Sequence, residues 1–118
     1  MAETSYALQV GGKSFAVDNE GYLLDPTDWS HEIAHHIAGG EHMTLCADRW
    51  VVVSFVRDYY EQNQSVPEAR RVLKALCAQL GKEKATRKFL YSLFPYGYGQ
   101  QACKIAGMRK PLKLMLDV

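Results

Sequence analysis

The chain has 118 residues, 47% of them hydrophobic and 23% charged, which is the composition of one ordinary globular domain with a single core. No apolar run approaches the roughly 20 residues needed to span a bilayer, and the N-terminus lacks the basic and apolar regions of a secretory signal, so we expect a cytoplasmic protein. The cysteines Cys46, Cys77 and Cys103 are scattered without a Cys-x-x-Cys pair, which argues against a disulfide framework or a zinc site.

The net charge of +1 hides an uneven distribution of charge along the chain. Residues 1–64 hold three Lys/Arg and ten Asp/Glu, whereas residues 65–118 hold eleven Lys/Arg and three Asp/Glu. This asymmetry indicates one of two arrangements. Either the basic half binds an anionic partner, nucleic acid or an acidic protein surface, or the acidic half covers the basic half in the fold.

The N-terminal region is predicted to form a small β-hairpin. The segments 6–10 and 13–17 flank Gly11-Gly12, a two-residue connection that can supply the positive φ angles of a tight hairpin turn.

Helical periodicity begins after Asp25-Pro26, because the residue before a proline disfavours a helix. Asp28 is predicted to cap a first helix that carries Trp29 and ends at Gly39-Gly40. Thr44 is predicted to cap a second helix. The apolar residues of that helix recur at spacings of three and four, which marks it as the central buried element.

Two longer helices complete the predicted bundle. The capping-box pattern Ser65-Val66-Pro67-Glu68 predicts a third helix that runs to about Leu80, with Cys77 on its apolar stripe as a small buried side chain. A fourth helix is predicted from 85 to 94, because Pro95 forbids its continuation.

The last part of the chain is predicted to be a C-terminal arm. Residues 96–99 are expected to form a loop, residues 100–106 a short helix ended by Gly107, and residues 108–118 a mobile tail. The sequence therefore predicts one domain of the mostly α (α+β) class, a bundle of about five helices with an N-terminal β-hairpin and a flexible C-terminal arm. Its parts are a hairpin region at 1–24, a helical core at 25–95 and the arm at 96–118.

The sequence His31-Glu32-Ile33-Ala34-His35 matches the H-E-x-x-H motif, in which two histidines bind Zn²⁺ and the glutamate activates a water. A catalytic zinc needs a third protein ligand, and the extended motif would place Gly at 38 and His at 41, where this chain has Ala38 and Glu41. Glu61 is left as a distant candidate ligand. We therefore predict neither a metal site nor protease activity here.

Several segments strongly resemble the DsrC/TusE family. In the C-terminal half these are residues 80–84, 89–97 and 101–107, which read LGKEK, FLYSLFPYG and QACKIAG. In the N-terminal half they are residues 17–23, Asp28-Trp29, Trp50, Phe55, Arg57 and Tyr59-Tyr60. The resemblance covers nearly the whole chain. It implies a small cytoplasmic sulfur carrier with the bundle, hairpin and flexible arm that the periodicity predicts.

The resemblance also implies a chemistry that depends on cysteines of the arm. Full members hold one cysteine in the Ala-Cys-Lys/Arg-Ile/Phe-Ala-Gly motif, which Cys103 matches. Their second, penultimate cysteine accepts sulfur, and it exchanges that sulfur with dissimilatory sulfite reductase or relays it toward tRNA 2-thiouridine. This sequence has Asp117 at the penultimate position, so we identify it as a variant without the second arm thiol.

Cys103 is therefore the predicted catalytic residue, as the sole sulfur acceptor. We expect it to be exposed on a glycine-flanked mobile segment. The neighbouring Lys104, Arg109 and Lys110 are predicted to bind the partner and to lower the pKa of the thiol. Neither of the other two cysteines is an obvious partner for an internal disulfide.

Three functions follow as alternatives. The first is a sulfur-relay protein that carries persulfide on Cys103 and docks to a sulfite-reductase-like or sulfurtransferase partner, with Arg87 and Lys88 on its basic surface. The second is a non-redox regulatory or binding paralogue that has kept the docking surface. The third is DNA binding by a helix-turn-helix around Gly81. We expect a co-substrate protein rather than an autonomous enzyme, without a cofactor or a membrane partner.

Overall fold

The computed structural model describes residues 6–109, and they begin with the predicted hairpin. Strands β1 (Tyr6–Val10) and β2 (Lys13–Val17) pair antiparallel, with Val10 opposite Lys13. Gly11 and Gly12 join them at φ values of 58° and 79°, the left-handed conformation that a two-residue turn requires and that glycine adopts without strain.

Five helices follow within residues 6–109, which confirms the mostly α class. They are α1 (His31–Gly40), α2 (Ala47–Asn63), α3 (Ala69–Leu80), α4 (Arg87–Leu93) and α5 (Cys103–Ile105). Short 3-10 turns lie at Pro26–Asp28 and Lys82–Lys84, and a π-helical turn, Tyr98–Ala102, leads into α5. None of the helices in this described part is long and apolar enough to cross a membrane.

The predicted start of α1 is wrong, whereas its predicted end at Gly39-Gly40 is confirmed. Ser30, not Asp28, is the N-cap, since its hydroxyl accepts a hydrogen bond from the Ile33 N–H at 3.3 Å. The helix ends at Gly40 with Glu41 as its C-cap, and His42 follows in the left-handed conformation with φ 58°. This reversal positions the Glu41 side chain at the end of the helix.

The starts of α2 and α3 also differ from the prediction. Cys46, not Thr44, is the N-cap of α2, and it makes no side-chain capping bond. Helix α3 begins only after Glu68, so the proposed capping box is not formed. The reason is tertiary, because the Pro67 carbonyl accepts a 2.6 Å hydrogen bond from the Tyr98 hydroxyl and the chain stays extended at Glu68.

Cys77 is exposed, against the prediction that it is buried in the core. The buried stripe of α3 consists of Ala69, Val72 and Leu76, at helical spacings of three and four. Position 77 lies about 100° around the helix from Leu76 and therefore faces solvent.

The hydrophobic core takes side chains from both strands and all five helices. Its largest fully buried members include Leu23, Ile33, Leu76, Leu90, Phe94, Ile105 and Met108. Residues 98–108, placed in the arm by the sequence, contribute Tyr98, Ala102, Cys103, Ile105, Ala106 and Met108 to this core. The remainder of the predicted arm, from Lys110 onward, lies outside the described residues.

The sharpest packing constraint in this core is at Gly107, which has φ 81° and no room for a side chain. A Cβ there would lie 2.5 Å from Cδ1 of Trp29. We predict that Gly107→Ala lowers the free energy of unfolding by about 2 kcal/mol or more beyond the loss in Gly12→Ala. Gly12 also has positive φ, but a Cβ there would meet nothing within 4 Å, so it isolates the backbone strain. Urea unfolding of both variants measures the difference, and equal losses would contradict the packing argument.

Candidate functional site

Cys103 lies in a short helical stretch that we call the Cys103 segment, residues 98–108. The Cys103 N–H donates to the Tyr98 carbonyl five residues earlier, the pattern of a π-helical turn. At the other end the Met108 N–H donates to the Cys103 carbonyl at 3.0 Å and the Gly107 N–H to the Lys104 carbonyl at 3.1 Å. Together with the positive φ of Gly107, these bonds form a Schellman C-cap, so the short helix predicted to end at this glycine is confirmed.

The Cys103 thiol is fully buried, with 0% of the residue exposed to solvent. Burial raises its pKa to about 12, although hydrogen bonding with the Tyr98 hydroxyl works in the opposite direction. The thiol is therefore protonated at neutral pH and shielded from reagents in this conformation. The expectation of an exposed thiol of lowered pKa is wrong here, because the turn directs the sulfur into the core.

Lys104, next to Cys103, is predicted to lower the pKa of the thiol, but its ammonium group forms an ion pair with a carboxylate instead. Its Nζ lies 2.9 Å from Oε2 of Glu41, and it stands 5.6 Å from the centre of the Tyr22 ring. Glu41 also accepts a 3.2 Å hydrogen bond from the Gln101 amide through Oε1. Burial alone would raise the pKa of the Glu41 carboxyl, but the bonds from Lys104 and Gln101 outweigh it and hold the pKa below its ordinary value.

No contact within the described residues brings the remaining predicted binding residues to the thiol. Arg87 and Lys88 are exposed at the start of α4, Arg109 is exposed at the end of the described residues, and Lys110 lies outside them. Within residues 6–109 the cations Arg87, Lys88 and Arg109 form no ion pair.

Three residues from distant parts of the chain bind the backbone of the Cys103 segment. The Trp29 indole donates to the Ile105 carbonyl at 2.7 Å, the Tyr22 hydroxyl to the Gln100 carbonyl at 3.2 Å, and Arg57 to the Ala106 carbonyl at 3.4 Å. The sequence reasoning did not find these contacts, nor those of Glu41 and Gln101. No local signal identifies them, since their partners are 49 to 78 residues away along the chain.

The H-E-x-x-H motif lies on α1, where its histidines pack against a tryptophan. The ring of His31 lies 4.9 Å and that of His35 5.3 Å from the ring of Trp50. Glu32 lies beside Gly11 of the hairpin turn. Among the described residues, no group of three or more His, Cys, Asp or Glu is placed to hold a metal ion. The contacts of the motif are thus those of packing residues.

All three cysteines are free thiols, and two of them are accessible. Cys46 and Cys77 are exposed, and Cys103 is buried. Any experiment that modifies Cys103 chemically must therefore remove the other two thiols first.

The same architecture is found in two solved structures. The NMR structure of DsrC from Allochromatium vinosum matches with a TM-score of 0.83 at 44% identity, over 92% of this chain and 97% of that one. The crystal structure of the oxidized gamma-subunit of the dissimilatory sulfite reductase (DsrC) from Archaeoglobus fulgidus matches with a TM-score of 0.82 at 28% identity, over 91% and 97% of the two chains. The fold is thus that of the small helical DsrC proteins.

Curated relatives lead to the same family. The sulfurtransferase TusE of Escherichia coli K12 is 43% identical over 102 residues, 86% of this chain and 94% of that protein. The sulfurtransferase TusE of Pectobacterium atrosepticum is 42% identical over 106 residues, 90% of this chain and 97% of that protein. The profile of the family described as "DsrC like protein" matches residues 9–115. The chain belongs to the DsrC-like family, and the resemblance stated from its sequence motifs is confirmed.

The burial of Cys103 predicts that folding stability falls at alkaline pH. The folded-state pKa of about 12 lies above the value of 9.0 for a solvated thiol. The buried thiol therefore makes its full contribution to folding stability below pH 9, and this contribution is lost as pH rises toward 12. In that window we expect Cys103→Ala to lose stability less steeply than the parent, by about 1.4 kcal/mol per pH unit. The exposed-site control Cys77→Ala should keep the parent slope. Urea unfolding between pH 8 and pH 10.5 measures the slope of the free energy of unfolding against pH. Identical slopes in Cys103→Ala and the parent would contradict the burial of the thiol.

Proposed function

We propose that this protein works in a sulfur-relay system, where it binds a protein partner of the sulfurtransferase or sulfite-reductase type. Support comes from the relatives, which are named as TusE sulfurtransferases and as the gamma-subunit of dissimilatory sulfite reductase. The proteins compared are of nearly the same length as this chain, so the similarity extends over the whole domain rather than one module.

Cys103 is the sulfur acceptor in this proposal, and it acts in an open conformation of its segment. The observation that carries the proposal is that the thiol stands on a discrete pair of turns bounded by Gly97 and Gly107, both with positive φ. Once the segment leaves the core, the burial that raises the pKa of the thiol is removed, and the neighbouring Lys104 and Arg109 favour the thiolate.

Sulfur transfer to this residue is a balanced exchange between two thiols. The Cys103 thiolate attacks the outer sulfur of a persulfide on the donor, and the sulfur–sulfur bond of the donor breaks. The donor leaves as a thiolate, and the outer sulfur stays on Cys103 as a new persulfide. No external oxidant or reductant is consumed.

A second candidate function is a binding role without sulfur chemistry, in which the protein occupies the partner's docking site. Two observations favour it. The Cys103 thiol is sealed in the described conformation, and the sequence has no cysteine after Cys103 that could close an internal disulfide. Both candidates require the same docking surface, so they differ only in whether Cys103 accepts sulfur.

The basic surface around α4 is the proposed contact with the partner. Lys82, Arg87 and Lys88 are exposed within seven residues and form no ion pair among the described residues. Tyr91, one turn after Arg87, is 49% exposed, and exposed tyrosine with arginine is typical of protein interfaces. An acidic protein surface fits this composition better than DNA does, although the α3–α4 turn keeps helix-turn-helix binding as an outcome to test.

Mass spectrometry of a variant with one thiol tests the carrier function. In Cys46→Ser/Cys77→Ser, incubation with a persulfidated sulfurtransferase should add about 32 Da to the peptide that contains Cys103. Polysulfide alone should add it more slowly, because the thiol is buried. The matched control adds Cys103→Ala and should gain nothing. Absence of the adduct together with retained partner binding would reject the carrier and leave the non-redox role.

Charge reversal on α4 tests the docking surface. We predict that Arg87→Glu/Lys88→Glu weakens binding to a purified sulfurtransferase or sulfite reductase by about tenfold or more and reduces the salt dependence of binding. The control Lys13→Glu/Lys74→Glu changes the net charge equally at two other exposed sites. Titration calorimetry at two salt concentrations measures the affinity and its salt dependence for both double variants. Equal weakening in the two double variants would refute a localised surface, and tight, sequence-dependent binding of duplex DNA would favour the helix-turn-helix instead.

A further inference from the structure

The Cys103 segment is bound to the rest of the molecule by two kinds of contact. Trp29, Tyr22 and Arg57 bind its backbone carbonyls. Glu41, in contrast, binds two of its side chains at once, with one carboxylate oxygen on Gln101 and the other on Lys104. Gln101 and Lys104 lie on either side of Cys103 in the sequence, so a single carboxylate holds two side chains of the segment that flank the thiol.

Gln101 makes this contact costly to lose. It is 1% exposed, and it is the buried polar residue of the described core. Its amide oxygen accepts from the Tyr96 N–H at 3.1 Å, and its amide N–H donates to Glu41 at 3.2 Å. Without the carboxylate this buried amide has a donor with no strong acceptor, which destabilises the closed position of the segment.

Solvent can also reach the contact between Glu41 and Lys104. The side chains of Lys104 and Glu41 are 17% and 21% exposed, and together they line two adjoining surface grooves. Leu8, His35 and His36 are among the other residues that line the first groove, and Tyr22 and Gln100 are in the second. The Tyr98 contact with Pro67, by comparison, is buried. A docked protein can thus reach Glu41 without first unfolding the core.

We infer that Glu41 is a positioning residue that keeps the Cys103 segment closed, and that loss of its contacts to Gln101 and Lys104 exposes the thiol by local opening. The inference rests on the proposed function for its purpose, since access to Cys103 matters only if the thiol accepts sulfur. The opening itself can be measured without sulfur transfer.

The test measures how fast N-ethylmaleimide alkylates Cys103 in Cys46→Ser/Cys77→Ser at constant pH. Adding Glu41→Gln keeps the shape of the side chain but removes its charge. It should accelerate alkylation about tenfold or more, because the alkylation rate is proportional to the equilibrium constant for local opening. The matched control Glu32→Gln makes the same chemical change on α1, beside Gly11 of the hairpin turn, and should leave the rate unchanged.

Two further measurements separate local opening from general destabilisation. Amide hydrogen exchange in Glu41→Gln should rise at residues 100–106 and stay unchanged in the buried part of α2, Val52–Val56. Alkylation should also depend only weakly on low concentrations of urea, because a local opening exposes little surface. An unchanged alkylation rate, or an increase no larger than the change in the global unfolding equilibrium, would overturn the inference.

The outcomes also distinguish this inference from the proposed function. Faster alkylation of Glu41→Gln without any persulfide on Cys103 would reject the carrier function and leave the role of Glu41 standing. Persulfide formation on Cys103, together with the same alkylation rate in Glu41→Gln and its parent, would reject the role of Glu41 and leave the carrier function standing.

Discussion

The whole site depends on the contact between the indole of Trp29 and the backbone of Gly107. The indole occupies the space of a Cβ at position 107, and its N–H donates to the Ile105 carbonyl at 2.7 Å. This close approach places the last turn of the Cys103 segment against Trp29, which precedes the N-cap of α1. It fixes where Ile105 and Met108 enter the core, and with them the inward direction of the Cys103 sulfur. The chemistry of the thiol is therefore a consequence of packing.

The elements of the fold were predictable because their signals are local. The Gly11-Gly12 turn defines the hairpin, and helical periodicity with Pro95 and Gly107 as stops defines the bundle. The helix starts were less predictable, because several residues can cap and only the tertiary structure selects one. Asp28, the predicted cap, is part of a 3-10 turn in the structure, and Ser30, two residues later, caps α1 instead.

The sequence was sufficient to identify the cysteine of the site, but not the surroundings of its side chain. The motif around Cys103 identified the cysteine, but its glycines and short side chains suggested an exposed arm. Burial is decided by Tyr98 reaching Pro67, 31 residues away, and by Lys104 reaching Glu41, 63 residues away. Of the two explanations of the charge asymmetry, the covering of basic residues by the acidic half is found in part. Acidic residues of the first half neutralise Lys84 and Lys104, whereas Arg87 and Lys88 stay uncovered.

The π-helical turn before Cys103 determines the direction, about the helix axis, in which the side chains after the turn point. A turn closed over five residues instead of four accommodates one additional residue, and such turns commonly arise by insertion into an α-helix. Loss of one codon there would restore an α-turn and rotate the next residues by about 100° about the helix axis. The sulfur would then point along a different side of the segment. The inward position of this thiol consequently depends on the helical register over a single turn, with no change in the chemistry of the residue itself.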